Sequence, residues 1–212
     1  MRWGAVAWRL AVALMVCAAI TVAARADEPE TGAAKAASAT PLVGQLLVAS
    51  SSIGDPRFAE TVIYMISHDA DGAMGLVVNR AYGEGPLDAL LEAVGVESEG
   101  ASGRVRLQYG GPVEPGRGIV LHSADYSGAS TRIVADRVAV SFGKDVLEAI
   151  AAGVGPQRSA ILLGYAGWGP GQLEDELSRD DWLTARSEES LIFSDDLDSV
   201  WRNAMDHAGL SL

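Results

Sequence analysis

Apolar residues occur along this chain in short runs that glycine, proline and polar residues interrupt. Runs of this length that are rich in β-branched and aromatic residues are typical of strands. They predict strands at residues 42–49, 61–67, 74–78, 104–109, 118–122, 132–134, 138–140 and 160–163, with a late strand near 182–183 and 191–193. The strands come in hairpin-like clusters rather than in strict alternation with helices, which predicts a single α+β domain.

A second periodicity, with apolar residues three or four positions apart, predicts the helices. These helices are expected at residues 87–94 and 144–152, around Leu173 and Leu177, and from a cap at Ser194 to Gly209. Breaks are expected at 83–86 and at 110–116, where glycine and proline are frequent.

The N-terminal segment has the pattern of a secretory signal peptide. Arg2 and Arg9 precede the uncharged apolar run 10–24, and Ala24-Arg25-Ala26 supplies a small-x-small cleavage site. We therefore expect a signal peptide at 1–26, a disordered linker at 27–40 and the folded domain at 41–212. The expected location is the periplasm. An uncleaved inner-membrane anchor, or a cytoplasmic protein whose leader is not functional, are the alternatives.

The charge of the chain narrows the possible partners. The net charge is −12, and the first 26 residues carry three arginines and no acid, so the remainder has 13 basic and 28 acidic residues. A chain this acidic repels nucleic acid and anionic membranes, so neither is an expected partner, and membrane contact is expected only if the leader is uncleaved. The single cysteine, Cys17, lies in the leader, which excludes a cysteine-based site or disulfide from the rest.

The glycine-rich stretch 164–171, which also holds Tyr165, Trp168 and Pro170, follows an apolar run and precedes an acidic helix. We expect a sharp corner here, either purely structural or forming a surface for a ligand or partner. The stretch matches neither nucleotide-binding fingerprint. The acidic residues 174–176 in the first helical turn would also repel phosphate.

Four motifs, in order, resemble those of the YqgE/AlgH family. They are Leu46-Leu-Val-Ala-Ser with Asp55-Pro-Arg-Phe, His68 with Asp71-Gly-Ala-Met-Gly-Leu-Val-Val-Asn79, Gly110-Gly-Pro-Val with Val120-Leu-His122, and Gly164-Tyr-Ala-Gly-Trp-Gly-Pro-Gly-Gln-Leu-Glu174 with Trp182. The resemblance spans about 42–209. It implies an α+β fold whose mixed, branched sheet closes partly into a small barrel surrounded by helices.

The resemblance implies no reaction, although one member has been connected with the regulation of exopolysaccharide (alginate) synthesis. This chain has Ser51 and Ala81 where family members often have proline, and its leader is unusual for a family that is usually cytoplasmic. Our leading hypothesis is a non-catalytic binding or regulatory domain with an unknown protein or small-molecule partner.

The polar and aromatic motif residues are the candidate binding surface, and we expect them to converge in the fold. They are Asp55, His68, Asn79, Arg80, His122, Tyr165, Trp168 and Gln172. Arg80 is suited either to binding a carboxylate of a ligand or to an ion pair with an acidic residue of the chain.

The alternative hypothesis is an enzyme that acts on a small anionic substrate with His68 or His122 as the base. Serine hydrolysis by residues 50–52 or Ser123 is less favoured, because no Gly-x-Ser-x-Gly motif is present. A metal site that includes Asp69 and Asp71 is also less favoured, because no closely spaced histidine pair occurs. The sequence thus predicts no catalytic residue, metal or cofactor.

Overall fold

The computed structural model describes residues 41–97, 100–135 and 137–209, so the predicted signal peptide and linker lie outside the described residues. The strands are β1 Gln45–Ala49, β2 Val62–Asp69, β3 Gly72–Val77, β4 Ala81–Pro86, β5 Arg104–Tyr109, β6 Val113–Ser123, β7 Thr131–Ala135, β8 Val138–Ser141, β9 Ser159–Trp168 and β10 Trp182–Arg186. The helices are α1 Leu87–Ala93, α2 Asp145–Ala151, α3 Gln172–Ser178, α4 Glu189–Ile192 and α5 Leu197–Ala208. A 3-10 turn spans Pro56–Phe58.

The strands form one sheet in the order β10-β1-β2-β3-β9-β6-β8-β7, and β5 leaves this path by pairing with β9 and β4. Strand β9 is the branch point. Its last residues pair antiparallel with β3, and its first half pairs parallel with β5 and antiparallel with β6. The mixed, branched sheet of an α+β domain is therefore confirmed.

The sheet curls until its two ends approach each other. A register shift between Met65 and Ser67 interrupts the β2–β3 ladder, and such a bulge bends its strand. The Ile66 carbonyl at the bulge accepts a hydrogen bond of 3.1 Å from Arg132 of β7. The curl produces the half-barrel that the family resemblance implies.

Apolar side chains fill both faces of the curled sheet because neighbouring strand residues point to opposite sides. The concave side holds Leu46, Tyr64, Leu76, Leu121 and Leu162 and is covered by α4 and α5. The opposite side of β1–β3 holds Leu47, Ile63, Trp168, Leu173 and Trp182 beside α3. A third cluster packs α1 and α2 against β6 and β9 through Leu91, Val120, Val146 and Ile161.

The corner expected at 164–171 is wrong in its position, because β9 continues through most of this stretch. Gly164 adopts a positive φ of 73° inside the strand, and the strand continues to Trp168 before it turns at 169–171. A Cβ on Gly111 would lie 2.0 Å from the Tyr165 carbonyl carbon. The glycines therefore allow two backbones to cross in contact.

Other boundaries also differ from the sequence prediction. Residues 83–86, expected as a break, belong to β4, and 113–116, expected as a tight connection, belong to β6. The run 191–193, expected as a strand, lies at the short helix α4 and its end. The last helix begins after Asp196 rather than Ser194, whose hydroxyl donates to the Asp196 carbonyl. None of the helices in the described ranges is long and apolar enough to span a membrane.

Candidate functional site

A cleft of about 440 Å³ opens between the segment 53–58, the end of β9, helix α3 and the start of β10. Its lining includes Ile53, Asp55, Phe58, Trp168, Gln172 and Trp182. Because parts of three of the four motifs that carry the family resemblance line it, through residues such as Asp55, Pro112 and Trp168, it is the candidate functional site.

Aromatic rings form the floor of the cleft. Trp182 makes edge-to-face contacts with Phe58 at 5.6 Å and with Trp168 at 6.1 Å between ring centroids. Trp168 is 8% exposed and Trp182 is 3% exposed, so both rings also belong to the core. Edge-to-face packing fixes the rings relative to one another.

Glu176 of α3 holds this floor in place. Its Oε2 accepts hydrogen bonds of 2.8 Å from the indole nitrogens of both Trp168 and Trp182. Its Oε1 accepts a bond of 2.9 Å from the Gln172 amide, whose oxygen accepts from the Gly169 backbone at 3.1 Å. One carboxylate therefore joins the end of β9, the turn, α3 and β10.

Two ion pairs form the rim. Arg57 donates to both carboxylate oxygens of Asp55, and these side-chain hydrogen bonds lower the pKa of Asp55. On the other side of the cleft, Arg179 pairs with Asp181 at 2.9 Å. Each guanidinium is thus matched by its own carboxylate.

Asn79 and Arg80 do not line the cleft but support its wall, the segment 57–62, from behind. Arg80 donates to the carbonyls of Arg57 and Ala59 at 2.7 and 2.6 Å. Asn79 accepts from the Val62 backbone and donates to the Glu60 carbonyl. The expected ion pair of Arg80 with an acid is therefore replaced by contacts that hold the segment after the 3-10 turn.

His68 lies in the framework of the domain. Its Nδ1 accepts a hydrogen bond from the Leu42 backbone at 3.2 Å. Its Nε2 therefore carries the hydrogen and donates to Glu174 at 2.8 Å. This bond is the main cause of the lowered pKa of Glu174. Through these bonds His68 of β2 connects the segment before β1 to α3.

His122 is fully buried and lies outside the cleft lining. Its Nδ1 donates to the Ser123 carbonyl, so its Nε2 accepts from the Ser141 hydroxyl at 2.9 Å. Thr131 donates to Ser141 and accepts from the Gly128 backbone. Every polar atom of this chain of hydrogen bonds has a partner.

The structure thus brings together Asp55, Trp168 and Gln172 in the cleft, and the full set of candidate residues does not converge. Tyr165 does not line the cleft, and its hydroxyl donates to Glu114 at 3.3 Å. It packs against the concave core, because Gly164 shifts the alternation of β9 by one residue.

The hypothesis of a histidine base finds no support in this geometry. Both ring nitrogens of His68 and of His122 have hydrogen-bond partners. The Ser123 hydroxyl contacts Asp125 rather than a histidine. Among residues 41–97, 100–135 and 137–209, no group of three or more potential ligands is arranged to hold a metal ion.

Sequence reasoning missed Glu176 and the two arginines of the rim. The available signal was the spacing of Gln172 and Glu176, because residues four apart share one helical face. Their shared face is the one that borders the cleft.

The branched half-barrel places the chain among small single-domain α+β proteins. The family model described as "DUF179: AlgH-like" matches residues 46–212, and the chain belongs to this family. The resemblance drawn from the motifs is thereby confirmed.

Relatives match this domain over most of their length. A UPF0301 protein of Methylococcus capsulatus is 55% identical over 169 residues, which are 80% of this chain and 92% of that protein. A UPF0301 protein of Caulobacter vibrioides is 45% identical over 172 residues, with 80% and 88% covered.

Two solved structures have the same fold. The solution structure of AlgH from Pseudomonas aeruginosa matches with a TM-score of 0.66 at 40% identity and covers 84% of this chain and 93% of that one. A crystal structure from Corynebacterium diphtheriae matches with a TM-score of 0.59 at 19% identity over 76% and 84% of the two chains. The second likeness concerns the fold alone.

Proposed function

We propose that this AlgH-like protein is a non-catalytic binding domain that receives a segment of a partner protein in the cleft beside α3. The observation that carries the proposal is the aromatic floor of Trp168, Trp182 and Phe58 at the base of an open, charged cleft. Rings held in place before a ligand arrives lower the entropic cost of binding.

The anatomy of the cleft favours a protein segment as the occupant. Protein interfaces typically have an apolar, aromatic centre and a polar rim, with tryptophan and arginine prominent among the residues that contribute most. Here the rim consists of the Asp55–Arg57 and Arg179–Asp181 ion pairs around the rings.

The polar groups at the cleft favour binding over catalysis. Its central carboxylate, Glu176, is held by three neutral donors, and both candidate histidines are occupied elsewhere. These contacts place structural hydrogen bonds where an enzyme needs a free base.

Site-specific photocrosslinking in the native host tests the proposal. The photoreactive residue p-benzoylphenylalanine replaces Gly54, which lines the cleft and where an added Cβ meets nothing within 4 Å. The matched control places it at Val154, which is 70% exposed and outside the cleft lining.

We expect one discrete protein adduct from position 54 that disappears in a folded Phe58→Ala variant, and none from position 154. Equal adducts from both positions, or no adduct from position 54, would overturn the proposal. A small-molecule adduct at position 54 would overturn the assignment of a protein segment and would identify a small molecule as the occupant of the cleft.

We further propose that the protein has a regulatory role in the periplasm. This proposal rests on the predicted leader at 1–26, which lies outside the described residues. Mass measurement of the protein from the host envelope fraction tests export. A chain that begins at Asp27 is the expected result, and an intact chain in the cytoplasm contradicts it.

A further inference from the structure

Glu176 is a carboxylate whose hydrogen bonds are made but whose charge is not matched. It accepts from two indoles and one amide, all neutral. None of the ion pairs formed by the described residues includes it. Arg179, three residues along and at a spacing suited to pairing, contacts Asp181 instead.

From this arrangement we propose that the cleft recognises a cationic side chain, and that its occupant is a partner segment carrying an arginine. This inference rests on the proposed function and adds the chemistry of the ligand. The cation would lie over the aromatic floor with Glu176 as its counter-charge.

Three properties of the site favour a cation over an anion. The rim arginines are already paired with Asp55 and Asp181, so Glu176 leaves the cleft with an excess negative charge. Aromatic faces attract cations, and arginine more often than lysine occupies such positions. The net charge of −12 draws cationic partners from a distance and repels anionic ones.

Arginine fits this site better than lysine for a physical reason. The guanidinium is planar and weakly hydrated, so it stacks on an indole while it donates to a carboxylate. An ammonium ion loses more hydration energy on entering a cleft with an apolar floor.

The test uses four peptides, acetyl-Leu-X-Leu-amide with arginine, lysine, glutamine or glutamate at X, and nuclear magnetic resonance of the purified protein. The indole N–H signals of Trp168 and Trp182 are direct reporters, since both groups donate to Glu176. We expect saturable shifts of these signals with the arginine peptide and binding weaker by about tenfold with the glutamine peptide.

Two variants on the same helix isolate the charge of Glu176. Glu176→Gln is expected to abolish the preference for arginine over glutamine. Asp175→Asn removes the same charge from an exposed side chain outside the cleft lining and is expected to keep the preference. An equal loss in both variants would show a general charge effect and would overturn the inference.

The comparison of the arginine and glutamine peptides on the unmodified protein still decides the question if Glu176→Gln does not fold. If the glutamine peptide binds as tightly as the arginine peptide while position 54 still gives a specific adduct, the inference fails and the proposed function stands. If position 54 gives no adduct, the proposed function fails by itself. Shifts that free arginine amide reproduces in full, without the flanking leucines, would overturn the assignment of a partner segment.

Discussion

The network around His122 and the network around Glu176 both set polar groups against apolar packing. In the first, each donor meets an acceptor along a chain of hydrogen bonds from Gly128 to Ser123, whose centre, His122 and Ser141, is buried. In the second, the hydrogen bonds of Glu176 are also made, yet no cation among the described residues pairs with this carboxylate beside the cleft. Hydrogen-bond satisfaction and charge compensation are thus separate properties.

The difference shows how similar sequence signals lead to different roles. His122 and Trp168 stand in motifs of the same family, and both are buried. The histidine network is fully used by the fold, whereas the tryptophan network borders open space. The neighbourhood of each residue, rather than its type, decides which network is available to a partner.

The largest expected effect is on stability, and it tests whether the aromatic floor of the cleft is also part of the hydrophobic core. Trp182→Ala removes a ring that is 3% exposed and packed against Phe58 and Trp168. We expect the free energy of unfolding, measured by chemical denaturation, to fall by about 3–5 kcal/mol. Val154→Ala, at a side chain that is 70% exposed, is the control and should cost about 0.5 kcal/mol or less. Equal costs would mean that the floor is not part of the core.

The second prediction tests whether the hydrogen-bond network around His122 is independent of the cleft. Ser141→Ala leaves the buried Nε2 of His122 and the hydroxyl of Thr131 without their partner. We expect a loss of about 1–3 kcal/mol in the free energy of unfolding, with an unchanged crosslink yield from position 54. A stable variant with a lost crosslink would contradict the separation of the two networks.

A smaller and local effect concerns the cleft wall. Lysine in place of Arg80 lacks the planar fork whose two nitrogens reach the carbonyls of Arg57 and Ala59, so it holds them less firmly. We expect a loss of about 1 kcal/mol and faster hydrogen exchange at the amides of Phe58 and Thr61. Arg104→Lys, at a side chain that is 65% exposed, should leave this exchange unchanged. Unchanged exchange in Arg80→Lys would show that the wall does not depend on the guanidinium.

The smallest effect depends on pH. The bond from His68 lowers the pKa of Glu174 below its usual 4.5, so the ionised carboxylate stabilises the fold above that pH. This contribution is lost as the pH falls through the lowered pKa.

Glu174→Gln should therefore reduce stability at pH 7 by less than about 1 kcal/mol, because the side chain is 41% exposed. Thermal unfolding of both proteins should show this difference shrinking below pH 4.5. A difference that grows as the pH falls would reverse the assigned sign.

The strands around the motifs could be predicted from the sequence because both faces of the sheet are filled. The predicted range 104–109 coincides with β5, and the hairpin of β2 and β3 follows from two apolar runs around Gly72. The position of the cleft could not be predicted, since it depends on the branch of the sheet at β9.

The errors have particular physical causes. Gly164 suggested a loop, but a glycine with positive φ also fits within a strand that another backbone crosses. The run 191–193 is too short for periodicity to distinguish a strand from a helix. Glu176 escaped notice because its role comes from two indoles that only the fold brings together.

The position of β9 in the sequence has a consequence for synthesis. This strand spans Ser159–Trp168, yet β3, β5 and β6 all require it as a partner. While the ribosome is still producing the later part of the chain, these three earlier strands have edges that cannot yet be paired. Unpaired edges and long-range pairing slow folding and expose a chain to aggregation. The nascent protein must therefore stay unaggregated until β9, which ends at Trp168 of 212 residues, has been made. The sheet is complete only when β10 has paired with β1.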